Sequence, residues 1–415
     1  MKEPGSLTTS ACRLCGQPLR ETFVDLGLSP LANAYVRPDR LSHKESFYPL
    51  HAFVCGSCLL VQLDEFESPE HIFSDYLYFS SFSDLWLAHC RAYADRMVER
   101  FRLGPESQVV EVASNDGYLL QYFLPHGVPV LGVEPAANVA QTAIAKGIST
   151  EVAFFSTETA ERLRARGVAA DLIAGNNVLA HVPRLLDFVQ GLQILLKPEG
   201  VVTIEVPHLL RLVAENQFDT IYHEHFSYFS LLVLERLFAQ VQMRIVDVEE
   251  LWTHGGSLRV YVRHASAAAS PTEAVADVLA RERAAGLDGL DVYRRFESQV
   301  VRTKCDVLAF FVEAARRGQT VVGYGAPAKG NTLLNYCGIG SELMPFTVDR
   351  SPHKQGLYLP GTRIPIRAPE ALLASKPDYV FILPWNLRDE ITQQMSAVRE
   401  WGGRFVVPIP ELRVL

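Results

Sequence analysis

The stretch QVVEVASNDGYLL (residues 108–120) passes from a continuous apolar run, VVEVA, through a short polar turn, SNDG, into a segment whose pattern predicts a helix from about Tyr118. About twenty residues later VPVLGVEP supplies a second strand ending in Glu134, with a helix from about Ala136. DLIAGNNVLA, from Asp171, supplies a third, and KPEGVVTIEVP a fourth after a helix over Leu185 to Leu196. Strands alternating with helices at this spacing predict an α/β fold built on a doubly wound parallel sheet. Ligands of such sheets lie beyond the carboxyl ends of the strands, which sets Ala113 to Gly117, Glu134, Asn176, Asn177 and His181 on one rim.

The first turn, ASNDG, lacks the glycines of G-x-G-x-x-G, so close backbone approach to a pyrophosphate is not encoded there. Glu134, at the end of the second strand, is placed to accept hydrogen bonds from ribose hydroxyls. Together these features suit a nucleoside without a diphosphate and point to S-adenosylmethionine. Its expected contacts are Ala113, Ser114, Asn115, Gly117, Glu134, Asn176 and Asn177. The alternative for Glu134 is a surface cap of the next helix; for His181, a satisfied rim histidine.

After the fourth strand and a short helix around Leu209 to Asn216 comes IYHEHFSYFS (residues 221–230), which therefore emerges on the same rim. Ten residues carry two imidazoles (His223, His225), a carboxylate (Glu224), two phenols (Tyr222, Tyr228) and two hydroxyls (Ser227, Ser230). Imidazole and phenol groups can take a proton from carbon or hold a developing oxyanion. A helical segment puts Tyr222 and His225 on one face, whereas an extended one pairs His223 with His225. The histidines are two apart rather than four, so this is not the helical zinc motif H-E-x-x-H. An aromatic surface loop is the alternative reading.

The chain has 415 residues, enough for two or three domains, and 48% hydrophobic with 21% charged residues is ordinary globular composition. Its formal charge, 39 minus 47 or −8, comes without a sustained basic run, which argues against a nucleic-acid polymer as partner. The N-terminus, MKEPGSLTTSACRLCG, has no apolar segment behind its charge, and no run reaches the length of a membrane span. A cytoplasmic monomer that binds no membrane is expected. Cys12-x-x-Cys15 and Cys55-x-x-Cys58 form two knuckles that predict a closed, structural four-cysteine zinc site. Cys90, Cys305 and Cys337 are isolated and expected to be buried.

Between the knuckles and the first parallel strand, YLYFSSFSD (residues 76–84) is either packing between domains or a lid of hydroxyl donors, and a helical pattern follows to about Phe101. Beyond residue 230, LLVLERLFAQV predicts a helix, and RIVDVEEL and GGSLRVYVRH a pair of antiparallel strands. An Ala-rich, charged connector begins at Ser266. The last hundred residues repeat the α/β rhythm: TVVGY, the small-residue turn GAPAKGN (residues 325–331), and MPFTVDRSPHKQG with Arg350, His353 and Lys354 after a strand ending at Asp349. A strand-to-helix turn of this kind with a lysine is a phosphate cradle, or else part of an interface module. The expected substrate contacts here are Lys329, Asn331, Arg350 and Lys354.

The paired CxxC, YLYFSSFSD, EVASNDGYLL, GNNVLAHV, IYHEHFSYFS, VGYGAPAKGN and DRSPHKQGLYLPG, in that order over essentially the whole chain, resemble the adenosylmethionine-dependent C-methyltransferases of nucleotide-linked 4-keto deoxysugars. The likeness is greatest to the C-3-methyltransferases that make tetronitrose, an antibiotic sugar. The resemblance implies a zinc-binding domain (1–75), an adenosylmethionine domain (76–265), a helical connector (266–310) and a C-terminal Rossmann-like domain (311–415). A dTDP-sugar is then held between the last two domains. It also implies that His225 is the general base and Tyr222 its partner, with Glu224, His181 and Tyr76 as supporting polar groups. Methylation at C-5, an NAD-dependent epimerase or dehydrogenase, and a non-catalytic zinc-containing binding module remain as alternatives.

Overall fold

The computed structural model describes residues 10–68, 80–82 and 84–415, and Tyr76 lies outside them. Strands β1 (Glu21–Ser29), β2 (Tyr48–Val54) and β3 (Val61–Leu63) form an antiparallel N-terminal sheet. In β2 the side chains of Leu50, Ala52 and Val54 alternate into the core, the period-2 pattern of a sheet with one covered face. That face rests on the long helix Asp291–Arg316, where the Phe23 ring stacks on Phe296 with centroids 4.5 Å apart. Such a pair adds about 1 kcal/mol to the burial of the two rings.

The central sheet contains β4 (Val109–Val112), β5 (Val130–Val133), β6 (Thr150–Glu151), β7 (Ala170–Asn176) and β8 (Leu196–Pro207), all parallel. The chain next gives a short strand to the N-terminal sheet, β9 (Ser227–Tyr228), which pairs with β3. It then returns with β10 (Met243–Leu251) and β11 (Ser257–His264), making the order β10-β11-β8-β7-β4-β5-β6. Every residue of β4 is buried, Glu111 with its three valines. Because Ser257 pairs with Pro207 at the end of β8, the β10–β11 turn stands on the carboxyl rim with the other ligand-facing loops.

The segment after β4 departs from expectation. In place of an α-helix from Tyr118 it forms two single 3₁₀ turns, Leu120–Tyr122 and Leu124–His126. Pro125 has no N–H to continue a helix, and Gly127, at φ 69°, ends the second turn in the left-handed region.

After the connector helices Glu273–Ala284 and Asp291–Arg316, a third sheet holds β12 (Val321–Tyr324), β13 (Thr347–Val348), β14 (Ile366–Arg367), β15 (Tyr379–Ile382), β16 (Arg404–Val407) and β17 (Arg413–Val414). The order β14-β13-β12-β15-β16-β17 is parallel except for the last strand. The order reverses between β12 and β15, which puts the ligand crevice of this unit at the loops that follow them. Those loops meet closely at Gly325 (φ 89°), where a Cβ would overlap Pro384. The helix after β12 begins at Ala328, so Lys329 and Asn331 lie in its first turn. Cys90 and Cys337 are buried, but Cys305, on the outer face of its helix, is exposed. Among the described residues no helix is long and apolar enough to cross a membrane.

Candidate active site and metal centre

The rim loops of the central sheet, the loops of the C-terminal sheet and Asn33 and Glu65 of the N-terminal unit enclose a cavity of about 700 Å³. On its wall the segment 221–230 folds as a turn closed by the His225 N–H donating to the Tyr222 carbonyl at 2.8 Å. This turn sets the phenol beside the imidazole, and the Tyr222 hydroxyl lies 2.9 Å from His225 Nε2. His225 Nδ1 lies 2.9 Å from the Thr220 carbonyl, which can only accept, so Nδ1 carries the proton and Nε2 the lone pair. The Tyr222 hydroxyl therefore donates to that lone pair.

His181 is held in the same way, its Nδ1 donating to the Glu224 carbonyl at 2.7 Å, and its ring lies edge-on to His225 with centroids 4.8 Å apart. Loss of water around these imidazoles disfavours their charged forms. It lowers His181 to about 4 and, together with the neighbouring His181, holds His225 well below the ordinary histidine range. Both rings are neutral bases at pH 7. His223 faces the opposite way, toward the Pro49 carbonyl and the rings of Tyr48 and Phe66 in the N-terminal unit. Glu224 is buried and accepts from Asn33 Nδ2 with both oxygens; burial pushes its carboxyl up to about 7 against the opposing effect of Asn33.

Across the cavity, Ala113, Asn115, Glu134, Asn176 and Asn177 line the rim of the central sheet. Glu134 fixes the first turn, Oε2 accepting from the Asn115 N–H and Oε1 from the Ala136 N–H, both at 2.9 Å. Ala113, Asn115 and Asn177 adopt left-handed φ of 58°, 49° and 53°, so the glycine-poor turn takes a conformation that glycine would take without strain. Ser114 and Gly117 do not line the cavity. Ser114 tucks its side chain behind the turn against Gly132, and Gly117, at φ 76°, packs on Ile148. Among the described residues, Asn176 Oδ1 and Asn177 Oδ1 are buried acceptors without a hydrogen-bond donor. Unsatisfied acceptors beside an anchored carboxylate suit the amino group and ribose hydroxyls of adenosylmethionine.

The C-terminal wall brings Lys329 and Lys354 to the cavity. Lys329 Nζ donates to Asn386 Oδ1 at 2.9 Å and stands over the Trp385 indole, while Lys354 Nζ donates to the Ala326 carbonyl at 2.9 Å. The other two expected substrate contacts are elsewhere. Asn331 is buried with its Nδ2 donating to the Ala32 carbonyl, a tie between the N- and C-terminal units. Arg350 is exposed and faces Glu390 at 3.6 Å. Both lie outside the cavity because the helix starts early enough to turn Asn331 inward and the loop after Asp349 turns Arg350 outward.

Sequence reasoning passed over Asn33, Trp86 and His254, all of which line the cavity. His254 had a readable signal: a turn between β10 and β11 must sit on the carboxyl rim once β11 runs antiparallel to β8. Asn33 had none, since only the tertiary fold brings the N-terminal unit to Glu224. Of the YLYFSSFSD run, Ser80 lines the cavity and its N–H donates to Asn115 Oδ1 at 2.9 Å.

Away from the cavity, Cys12, Cys15, Cys55 and Cys58 bring their sulfurs within 4.8 Å of one another. Each knuckle closes on a backbone hydrogen bond, Gly16 N–H to the Cys12 carbonyl and Leu59 N–H to the Cys55 carbonyl, both at 2.9 Å. Four thiolates at this spacing fit a tetrahedral zinc ion, with Gln62 Nε2 donating to Cys12 Sγ at 3.2 Å as an outer partner.

Three family descriptions match consecutive parts of the chain: a candidate zinc binding domain over residues 12–73, a methyltransferase domain over 86–248 and a C-methyltransferase C-terminal domain over 252–410. The chain is 39% identical over 404 residues to the C-methyltransferase NovU of Streptomyces niveus, covering 97% of this chain and 96% of that one. Among solved structures it is similar to an S-adenosylmethionine-dependent methyltransferase of Clostridium acetobutylicum (12% identity, 47% of this chain and 96% of that one, TM-score 0.35). Another such structure is a methyltransferase of Archaeoglobus fulgidus (15% identity, 39% and 72%, TM-score 0.33).

Proposed function

Since the chain belongs to the S-adenosylmethionine-dependent C-methyltransferase family, we propose that it methylates C-3 of a dTDP-linked 4-keto deoxysugar, with His225 as the base. The observation that carries this reading is the orientation of His225: its proton is committed to the Thr220 carbonyl and its Nε2 lone pair meets the Tyr222 hydroxyl on the cavity wall. A C–H bond next to a ketone is acidic because the electron pair it leaves spreads onto the carbonyl oxygen. Such a reaction needs a neutral base beside the carbon and a donor beside the oxygen.

The carbon-bound proton passes to the Tyr222 oxygen as the Tyr222 hydroxyl proton moves to His225 Nε2, so the imidazole is the final base and the phenol its relay. His181, tied to Glu224 through the backbone, packs against the base and keeps bulk water from it. Adenosylmethionine, when bound, supplies a methyl group on a positively charged sulfur to the carbon nucleophile. Glu134, Asn115, Asn176 and Asn177 are the residues suited to hold it. Lys329 and Lys354 put two positive charges on the C-terminal wall, which suits the diphosphate of a nucleotide-sugar. The four cysteines hold a structural zinc and take no part in proton transfer.

The test is incubation with adenosylmethionine and a panel of dTDP-4-keto-6-deoxy sugars in deuterated water, with product mass and exchange at the carbon next to the ketone as readouts. One methyl gained on C-3, lost in His225→Asn, is the expected result. Methylation at C-5 would correct the position, and neither methylation nor exchange with any sugar would remove the reading.

A further inference from the structure

The enolate reading above leaves one requirement unassigned: a donor for the carbonyl oxygen. Three of the polar groups around the base have their protons aimed at protein atoms. The Tyr222 hydroxyl faces His225 Nε2, His225 Nδ1–H faces the Thr220 carbonyl and His181 Nδ1–H faces the Glu224 carbonyl. His254 differs. It lines the same cavity, is solvent-exposed there, and neither ring nitrogen makes a hydrogen bond among the described residues. Its ring is held edge-on to Trp86, centroids 5.6 Å apart.

The backbone that presents His254 is unusual. Its φ of 56° and ψ of 20° are left-handed, a conformation that non-glycine residues seldom adopt. The loop is pinned on its far side, where Gln217 Nε2 donates to the Gly255 carbonyl at 2.7 Å. A Cβ on Gly255 would come within 2.8 Å of the Trp385 ring. The charged and titratable groups that act on His254 are Lys329, Glu205 and His89; the Lys329 charge, on the wall of the same cavity, disfavours a charged ring, and a neutral ring carries one N–H.

We propose that His254 is a catalytic residue that donates a hydrogen bond from its ring to the substrate carbonyl oxygen as negative charge develops there. The inference rests on the enolate reading. The carbon-bound proton passes to the Tyr222 oxygen as the Tyr222 hydroxyl proton moves to His225 Nε2, the C–H electron pair becomes the enolate, and the His254 proton is shared with the oxygen without being transferred. A neutral imidazole suits this role because it stabilises the oxyanion while leaving no acid strong enough to quench the carbon nucleophile.

The experiment uses the zinc-loaded full chain and the dTDP-4-keto-6-deoxy sugar that the wild type turns over, and measures solvent deuterium exchange next to the ketone without adenosylmethionine. His254→Gly relieves the backbone and removes the ring; the exchange rate is expected to fall about 100-fold, as for loss of an oxyanion donor. Adenosylmethionine affinity by calorimetry should stay within about twofold, since its contacts are elsewhere. Imidazole added to the Gly variant should restore part of the lost exchange, which a structural role would not allow. An unchanged exchange rate, or a loss confined to adenosylmethionine binding, overturns the inference while leaving the methylation reading standing. A wild type that exchanges with no sugar removes both.

Discussion

Asn33 and Glu224 are 191 residues apart in the chain, and the amide of the first donates to both carboxylate oxygens of the second at 2.9 and 2.8 Å. Asn33 lies between β1 and β2 of the cysteine-bearing unit, while Glu224 sits between the two residues of the candidate base pair. The N-terminal unit therefore forms part of the wall behind the base. The β3–β9 pairing, Val61 with Tyr228 and Gln62 with Ser227, fixes the other end of the same segment.

Glu224→Gln should alter the pH dependence of stability in a defined direction. The folded carboxyl is raised to about 7 by burial, against an ordinary 4.5 in the unfolded chain. Folding therefore takes up a proton between those values, and the contribution is full below pH 4.5 and lost as pH rises through 7. The whole effect is at most about 3 kcal/mol. Glutamine keeps an acceptor for Asn33 and has no proton to lose. Urea unfolding at pH 5 and pH 8 should give a smaller decline for the variant than for the wild type; equal declines would show that Glu224 is not the group responsible.

Metal removal should be felt at the base. Without an ion the four sulfurs have no bond to hold the knuckles, and metal-binding free energy is folding free energy in such sites. Unfolding them releases β3 from β9 and Asn33 from Glu224. Chelation, or Cys58→Ser, is expected to remove one zinc per chain by metal analysis and to lower methyl transfer at least tenfold. Adenosylmethionine binding, proposed for the far rim, should be less affected. Retention of full activity by metal-free protein would separate the two sites.

Gly132→Ala probes the cofactor rim from behind. A methyl group at this β5 position would overlap Ser114 Oγ and lie 2.9 Å from Ser114 Cβ, directly under the turn that Glu134 anchors. The turn already has left-handed residues at Ala113 and Asn115 and little freedom to yield. Overpacking of this kind costs about 1–3 kcal/mol. The variant should melt earlier and show a raised KM for adenosylmethionine with a smaller change in kcat.

The α/β fold was legible because the short strands VVEVA, VPVLGV and those after Asp171 and Gly200 alternate with helical segments at the spacing of a doubly wound sheet. The four-cysteine cluster was legible from spacing alone. The polarity of IYHEHFSYFS singled out a segment that lines the cavity, yet whether His223 or His225 faced it depended on a turn closed by one backbone hydrogen bond, which no periodicity encodes. Lys329 and Lys354 line the cavity, while Asn331 and Arg350 do not: one helical turn carries Asn331 to a different face from Lys329, and the loop after Asp349 turns Arg350 outward. Asn33 was hidden for a simpler reason. A lone asparagine in a loop carries no pattern, and its role arises from contact between distant parts of the chain.

Trp385→Phe should show how far the C-terminal unit controls the base. Trp385 Nε1 donates to Asp219 Oδ2 at 2.8 Å, and Asp219 is buried, its Oδ1 without a hydrogen-bond partner among the described residues. Burial raises this carboxyl to about 6, opposed by Lys329 and by the indole bond. Asp219 precedes Thr220, whose carbonyl fixes His225 Nδ1. Phenylalanine keeps a ring beneath Lys329 but leaves the carboxylate without its indole donor, at a cost of about 1–3 kcal/mol. Its pKa should climb further, and the turn that orients His225 should loosen. The expected outcome is a lower kcat with a pH profile displaced upward, partly reversed in Trp385→Phe/Asp219→Asn because asparagine has no charge to strand. If the double variant is no better than the single one, the indole acts through packing on Gly255 and Lys329, and the hydrogen bond to Asp219 is not what couples the C-terminal sheet to the base.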